Sequence, residues 1–333
     1  MNEKEVKDKK VTQVQTASPL KFHVMKLMHV WFAISLAVLI PGIIALAMGG
    51  LKLGIDFTGG SIMELRFTKT ITVDHVYNSL TKPKTKVKDM DPELFKGVKI
   101  SIAKNDNIIF IRSKHLSVEQ QNATLETLKK DYGEISVERI ESVGPSIGTE
   151  LGNKALWAVV IVLGGILLYT SYCFRWDFAI SIIICLAHDV FTCVGIFAIL
   201  GLVFGTEIDS LFVTAVLGNA GYSVHDTIVV FDRIRENISV STKGKTLIDI
   251  AEESVHQTFT RSINTSITTL LTLTALFLLG GDTIRDFVLA MMIGVFFGTY
   301  SSIFVASPIF VLIRQAFDRQ RKSKKRALAA SKA

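Results

Sequence analysis

GYSVHDTIVVFDRIREN, residues 221–237, closes an apolar run and carries His225 and Asp226 side by side within it. Two adjacent titratable groups are costly where a bilayer or a packed core surrounds them, so what flanks them decides the fold. The flanks are runs of about twenty apolar residues, the length that crosses a hydrocarbon core of roughly 30 Å. Such runs lie near 30–50, 155–174, 178–203, 210–231, 262–280 and 287–313. The chain has 333 residues, 49% of them hydrophobic, with a formal net charge of +7. A soluble chain of this length scatters its apolar residues at periods of two or 3.6 instead of pooling them. The pattern predicts a polytopic α-helical membrane protein with six transmembrane helices.

The first run, WFAISLAVLIPGIIALAMGG, is too long in its apolar part for a secretory signal and has Pro41 in its middle. It is expected to be a retained anchor. Cys173, Cys185 and Cys193 all fall in or at the ends of predicted spans, which argues against a disulfide or metal framework. Lys4, Lys7, Lys9, Lys10, Lys21 and Lys26 precede the first span, Arg175 follows the second, and Arg233, Arg235, Lys243 and Lys245 follow the fourth. The connection GLVFGTEID has no Lys or Arg, and the one after the fifth span has only Arg285. Positive residues stay inside, so both termini are expected in the cytoplasm of a multi-pass plasma (inner) membrane protein. The division that follows is a cytoplasmic segment 1–29, a first transmembrane helix 30–50, an extracytoplasmic domain 51–154, helices two to six over 155–313, and a basic cytoplasmic tail 314–333. The basic balance reflects topology and contact with anionic membrane lipids, with no nucleic-acid partner. From Arg314 onward the tail reads as an ordinary solvated stretch.

The loop 51–154 reads element by element. SIMELRF (61–67) alternates as a strand and VDHVYNSL (73–80) suits a helix. GVKISIA and NIIFIRS are strands joined at Lys104-Asn105-Asp106; a helix then ends at Gly133, and ISVERIESV is a last strand. The order β-α-β-β-α-β is that of an α+β ferredoxin-like domain. GIDFTGGS (54–61) and GPSIGTELG (144–152) flank it. Neither has the strand–loop–helix context of a phosphate loop, so both are read as hinge turns.

Inside the spans the ionisable groups are His188 and Asp189 in the third, His225 and Asp226 in the fourth, and Arg261 opening the fifth. By helical rise, Asp226 sits about 25 Å below the external surface and Arg261 about 30 Å below it. On antiparallel neighbours these depths are one turn apart, within reach of a snorkelling arginine. Arg261, Thr265, Thr268 and Thr272 share one helical face; Asn219, Tyr222, Ser223 and Asp226 share another. Facing each other, the two stripes would line a hydrated seam for a proton relay that needs no cofactor and no metal. Serines and threonines also simply glue membrane helices, and a mid-span His188–Asp189 pair can satisfy itself as a structural hydrogen bond. Gly294, Gly298, Ser302 and Ala306 form a small-residue ridge whose partner cannot be named from sequence.

GIDFTGG (54–60), AHDV (187–190), GYSVHDTIVVFDRIREN (221–237) and TRSINTS (260–266) together resemble the SecF family of protein-translocase subunits, within the SecD/SecF group of the resistance–nodulation–division superfamily. The resemblance runs in order from about residue 20 to 315. It implies a SecD partner, work with the SecYEG channel and the SecA motor, and use of the proton-motive force to draw preproteins across the membrane. It implies an accessory translocase subunit and no enzyme. By position, Asp226 and Arg261 become the proton-pathway pair, and Gly54, Asp56, Phe57, Gly59 and Gly60 the junction between first span and external domain. The family commonly has Asn where this chain has His225. The rival within the superfamily is a proton-coupled drug or lipid exporter, which usually carries both halves in one longer chain.

Overall fold

The computed structural model describes residues 23–68, 71–83, 87–102, 108–240 and 244–330. The lysines before His23, Lys243 and the turn at Lys104-Asn105-Asp106 lie outside the described residues. The elements are helix α1 (Met28–Ala47), strand β1 (Lys52–Leu53), a one-turn helix α2 (Ile55–Thr58), strand β2 (Gly60–Phe67), helix α3 (Val73–Thr81), strands β3 (Lys99–Ile102) and β4 (Ile108–Ser113), helix α4 (Val118–Tyr132) and strand β5 (Ile135–Val143). Then follow the long helices α5 (Pro145–Cys173) and α6 (Trp176–Val203), strand β6 (Glu207–Ile208), and helices α7 (Ser210–Val240), α8 (Leu247–Leu279), α9 (Arg285–Ser301) and α10 (Ser307–Ala330), the last two joined by a π-helical turn at Ser302–Ala306.

Five of these helical segments are long and apolar enough to cross a membrane: α1, α5, α6, α8, and α9 continuous with α10. Helix α7 packs among them and is as long, but it carries the polar residues of the 221–237 stretch. Helix α5 begins at Pro145, ahead of its predicted span. Proline at the first helical position donates no hydrogen bond that the helix would need, so GPSIGTELG is a helix start and not a hinge turn. Helices α7 and α8 likewise overrun their predicted cytoplasmic ends. The overrun is clasped: Arg233 Nε donates to Gln257 at 2.5 Å, and Asn237 Nδ2 donates to Ser254 at 2.8 Å and to the same Gln257. This explains the polar second half of the 221–237 stretch.

Close crossings rest on small residues, because a Cβ at the contact would hold the backbones apart. Gly42 of α1 and Gly195 of α6 meet so tightly that a Cβ on either would lie 2.9 Å from the other's Cα. The ridge on α9 finds its partner in this chain: Gly294 lies under the Asn219 side chain, and a Cβ on Gly298 would come 3.1 Å from that of Ser223. A buried cluster of Phe178, Phe231, Phe310, Val230 and Ile234 fills the half of the bundle that holds the start of α6 and the end of α7.

Among the described residues the domain between α1 and α5 is a four-stranded sheet in the order β3-β4-β2-β5, every pairing antiparallel. Met63, Leu65, Ile109 and Ile111 pack with Leu80, Phe95 and Leu128 from the helical side. Helix α4 is fixed at both ends, by a capping box between Ser117 and Gln120 and by Gly133 at φ 87°. The opposite face of the sheet, with Ile62, Phe110 and Arg112, looks across a cleft of about 860 Å³ at the 204–211 connection.

The tail differs from its sequence reading. Helix α10 continues through Ala330, and Arg314 donates to Asp177, which is fully buried at the start of α6 and also takes Arg175 Nη2 at 3.2 Å. A buried carboxylate that stays ionised calls for a paired charge, and the sequence placed that partner 137 residues away.

Candidate functional site

The GIDFTGG stretch is a three-way junction. β1 pairs in parallel with β6, joining Lys52 to Glu207 and Leu53 to Ile208. Asp56 Oδ2 accepts from Ser210 N at 2.9 Å and Ser210 Oγ at 2.5 Å, so it caps α7 from outside that helix. Gly59 has φ 72° and sits against the start of α5, where a Cβ would be 2.8 Å from Pro145 Cα. Gly148 presses back, its Cβ position 2.7 Å from Gly59 N. Phe57 packs partly buried beside Phe212 and Ile208. Gly54, Asp56, Phe57, Gly59 and Gly60 thus tie the exit of α1 to the first turns of α7 and α5.

Within the bundle, two carboxylates from different helices share one hydroxyl-rich seam. Asp226 of α7 is 9% exposed; its Oδ1 accepts from Ser262 Oγ of α8 at 2.6 Å, and its Oδ2 accepts from Ser302 Oγ. Asp189 of α6 is 6% exposed; its Oδ2 accepts from Ser301 Oγ at 2.7 Å and from Ser223 Oγ, and its Oδ1 lies 2.8 Å from His188 Nδ1. The seam continues through Ser266, whose hydroxyl is 2.5 Å from Thr299 Oγ1 and 3.0 Å from the Tyr222 hydroxyl. Carboxylates need such donors once water is excluded, and hydroxyls supply them without fixing a counter-charge.

Several residues singled out from sequence lie elsewhere. Asp226 meets α8 at Ser262, the residue after Arg261, so the two helices pair at the depth expected. Arg261, Thr265, Thr268 and Thr272 nevertheless point to the exposed side of α8. Among the described residues Arg261 makes no ion pair with Asp226, although it and His225 both lie within its electrostatic reach. Thr265, Thr268 and Thr272 spend their hydroxyls on their own helix, at 2.9, 2.8 and 3.2 Å. Helix α8 is polar on two adjacent faces, and a residue step of about 100° separates the buried one from the one chosen. The buried face is Thr258, Ser262 and Ser266. His225 is exposed, beside Asp226 in sequence but turned out of the seam. Asn219 faces α9 and donates to Ala290 O at 2.9 Å, apart from the Asp226 hydroxyls. His188 and Asp189 do form the local pair expected, but Asp189 also joins three helices.

Ser262, Ser266, Thr299, Ser301 and Ser302 were missed or read as packing residues. The signals were present: Ser262 and Ser266 are spaced i, i+4 in TRSINTS, and Ser301-Ser302 puts two hydroxyls side by side in a ridge that otherwise calls only for small residues. Among the described residues no group of His, Cys, Asp and Glu has the arrangement of a metal site.

Comparison with known proteins follows the same residues. The family model described as "Protein export membrane protein SecD/SecF, C-terminal" matches residues 123–316, and the "SecD/SecF GG Motif" model matches residues 44–71, around the three-way junction. Protein translocase subunit SecF of Thermobaculum terrenum is 41% identical over 292 residues, covering 85% of this chain and 91% of the relative. That of Sebaldella termitidis is 36% identical over 291 residues, covering 87% and 91%. The chain belongs to the SecF family. A crystal structure of SecDF, a translocon-associated membrane protein from Thermus thermophilus, superposes with a TM-score of 0.77 at 33% identity over 90% of this chain. This SecF-family chain spans 39% of that longer one. Membership in the SecF family accounts for both the junction motif and the membrane bundle, and makes the chain a protein-translocase subunit of the membrane.

Proposed function

We propose that this chain pairs with a SecD partner in the plasma membrane and uses the proton-motive force to promote preprotein translocation and release, alongside SecYEG and SecA. In this reading α7 is the sixth crossing helix, both termini are cytoplasmic, and the sheet domain lies outside the membrane. The strand order β3-β4-β2-β5, with helices between β2 and β3 and between β4 and β5, supports a ferredoxin-like assignment for that domain.

Asp226 is the proton-carrying group, and Arg261 is the cation that modulates it. The observation that carries this is the Asp226 setting: a carboxylate buried between helices, held by hydroxyls and without a paired cation among the described residues. A permanently ionised carboxylate at that depth calls for a fixed counter-charge, whereas hydroxyl partners accept either protonation state. Arg261 stands on the adjoining exposed face, with Thr265 and Thr268 continuing outward from it and His225 nearby. An approach of its side chain would favour the ionised form of Asp226 and a withdrawal would favour proton uptake. Tyr222 lies on the α7 side of the seam through Ser266, and Asn219 stands about one turn closer to the start of α7, facing α9. The test is preprotein release from vesicles with and without a proton gradient, for Asp226→Asn and Arg261→Ala.

A further inference from the structure

We infer that Ser301 and Ser302 are positioning residues that link Asp189 to Asp226, making Asp189 a second proton-carrying carboxylate of the same path. The inference rests on the Asp226 reading above and extends it to residues outside that reading.

Three observations carry it. Ser301 donates to Asp189 on α6 and Ser302 to Asp226 on α7, so consecutive residues of one strand of backbone hold carboxylates from two different helices. Each serine also has a backbone carbonyl within reach: Gly298 O lies 3.0 Å from Ser301 Oγ, and Thr299 O lies 3.0 Å from Ser302 Oγ. A hydroxyl has one hydrogen to give and lone pairs to accept with. When the carboxyl is ionised, the serine donates to it; when the carboxyl is protonated, the serine accepts and turns its own hydrogen to the carbonyl. Both states stay satisfied without moving a helix, which a buried group of fixed protonation does not require. Third, the π-helical turn begins at Ser302. A π turn frees a backbone carbonyl from the regular ladder and is common at functional sites.

The titratable groups around the pair come from every side. Helix α6 brings His188 and Cys185, with Cys193 one turn or more away; α7 brings Asp226 and His225; α8 brings Arg261. Helix α9 and the π turn contribute hydroxyls. Ser223 of α7 donates to Asp189 three residues before Asp226, which gives the two carboxylates a second shared helix.

The test uses this chain in complex with its SecD partner in proteoliposomes. Proton flux is followed with an internal pH dye, and pH-difference infrared spectra report carboxyl protonation. Asp189→Asn should lower flux about tenfold or more and remove one titrating carboxyl band. Ser301→Ala and Ser302→Ala should each shift the pH midpoint of flux by about one unit, with Ser301→Thr restoring it. The inference is overturned if Asp189→Asn removes no titrating band, or if both alanine variants keep the wild-type pH profile. A variant too unstable to assemble leaves the infrared comparison of Asp189→Asn to decide. If instead Asp226→Asn keeps wild-type flux, the wider proton-relay reading fails on its own.

Discussion

Ser262 donates to Asp226 at 2.6 Å across the α7–α8 interface, while Arg261, one residue earlier, faces out of the bundle. The carboxylate is therefore held in place by a neutral group, and the cation next to Ser262 in sequence stands on a different face of α8. Replacing Ser262 with Ala should leave a buried carboxylate oxygen short of one donor and favour its neutral form. Proton-gradient-driven export should then fall and its pH dependence move upward, measured as export rate against external pH in vesicles.

The α1–α6 crossing at Gly42 and Gly195 has no room for a methyl group. Gly195→Ala should force the helices apart and cost about 1–3 kcal/mol, read as a lowered unfolding midpoint in detergent. Gly164→Ala, on a stretch of α5 with open space around the Cβ position, is the control and should be neutral or slightly stabilising.

Asp56 caps a helix that begins 154 residues later. Asp56→Ala should cost about 1 kcal/mol and raise amide exchange in the first turn of α7, with Asp56→Asn retaining most of the cap. Equal exchange in wild type and Asp56→Ala would remove the capping role.

Arg314→Ala leaves Asp177 buried with only the more exposed Arg175. The expected loss is on the order of 3 kcal/mol, and Arg314→Ala combined with Asp177→Asn should recover part of it. The check is thermal unfolding of the wild type and the two variants in one detergent.

Asp209, just before α7, gives a pH signature at the end of the bundle that faces the sheet domain. Burial holds its carboxyl above the usual range and the neighbouring Asp56 charge pushes the same way, against the bond from Phe212 N at 2.8 Å. A carboxyl raised on folding stabilises fully below its unfolded value and loses that contribution as pH rises through the folded value. Amide exchange around residues 206–212 should therefore quicken as pH rises through the mildly acidic range, beyond the intrinsic increase, and Asp209→Asn should flatten that excess.

Much of the architecture was legible because apolar length and period-two alternation are local properties. The strand at 135–143 and the helix ending before Gly133 appear where the pattern placed them. Helix ends were less legible: α5, α7 and α8 outlast their apolar runs, since a helix stabilised by neighbours does not stop where hydropathy does. The site was half legible. Asp226 and Asp189 stood out as charges inside spans, but the face of α8 that meets α7 did not. Both faces carry small hydroxyl residues, and a rotation of one residue step is invisible to periodicity. Arg314 was illegible for another reason, since its partner Asp177 is distant in sequence and only the fold brings them together.

Preprotein release from vesicles, measured with and without a proton gradient for Asp226→Asn in complex with the SecD partner, is the most direct measurement. The expected result is an assembled complex whose release no longer responds to the gradient and stays at the level seen without one. A variant that responds to the gradient as the wild type does would contradict a proton-carrying Asp226.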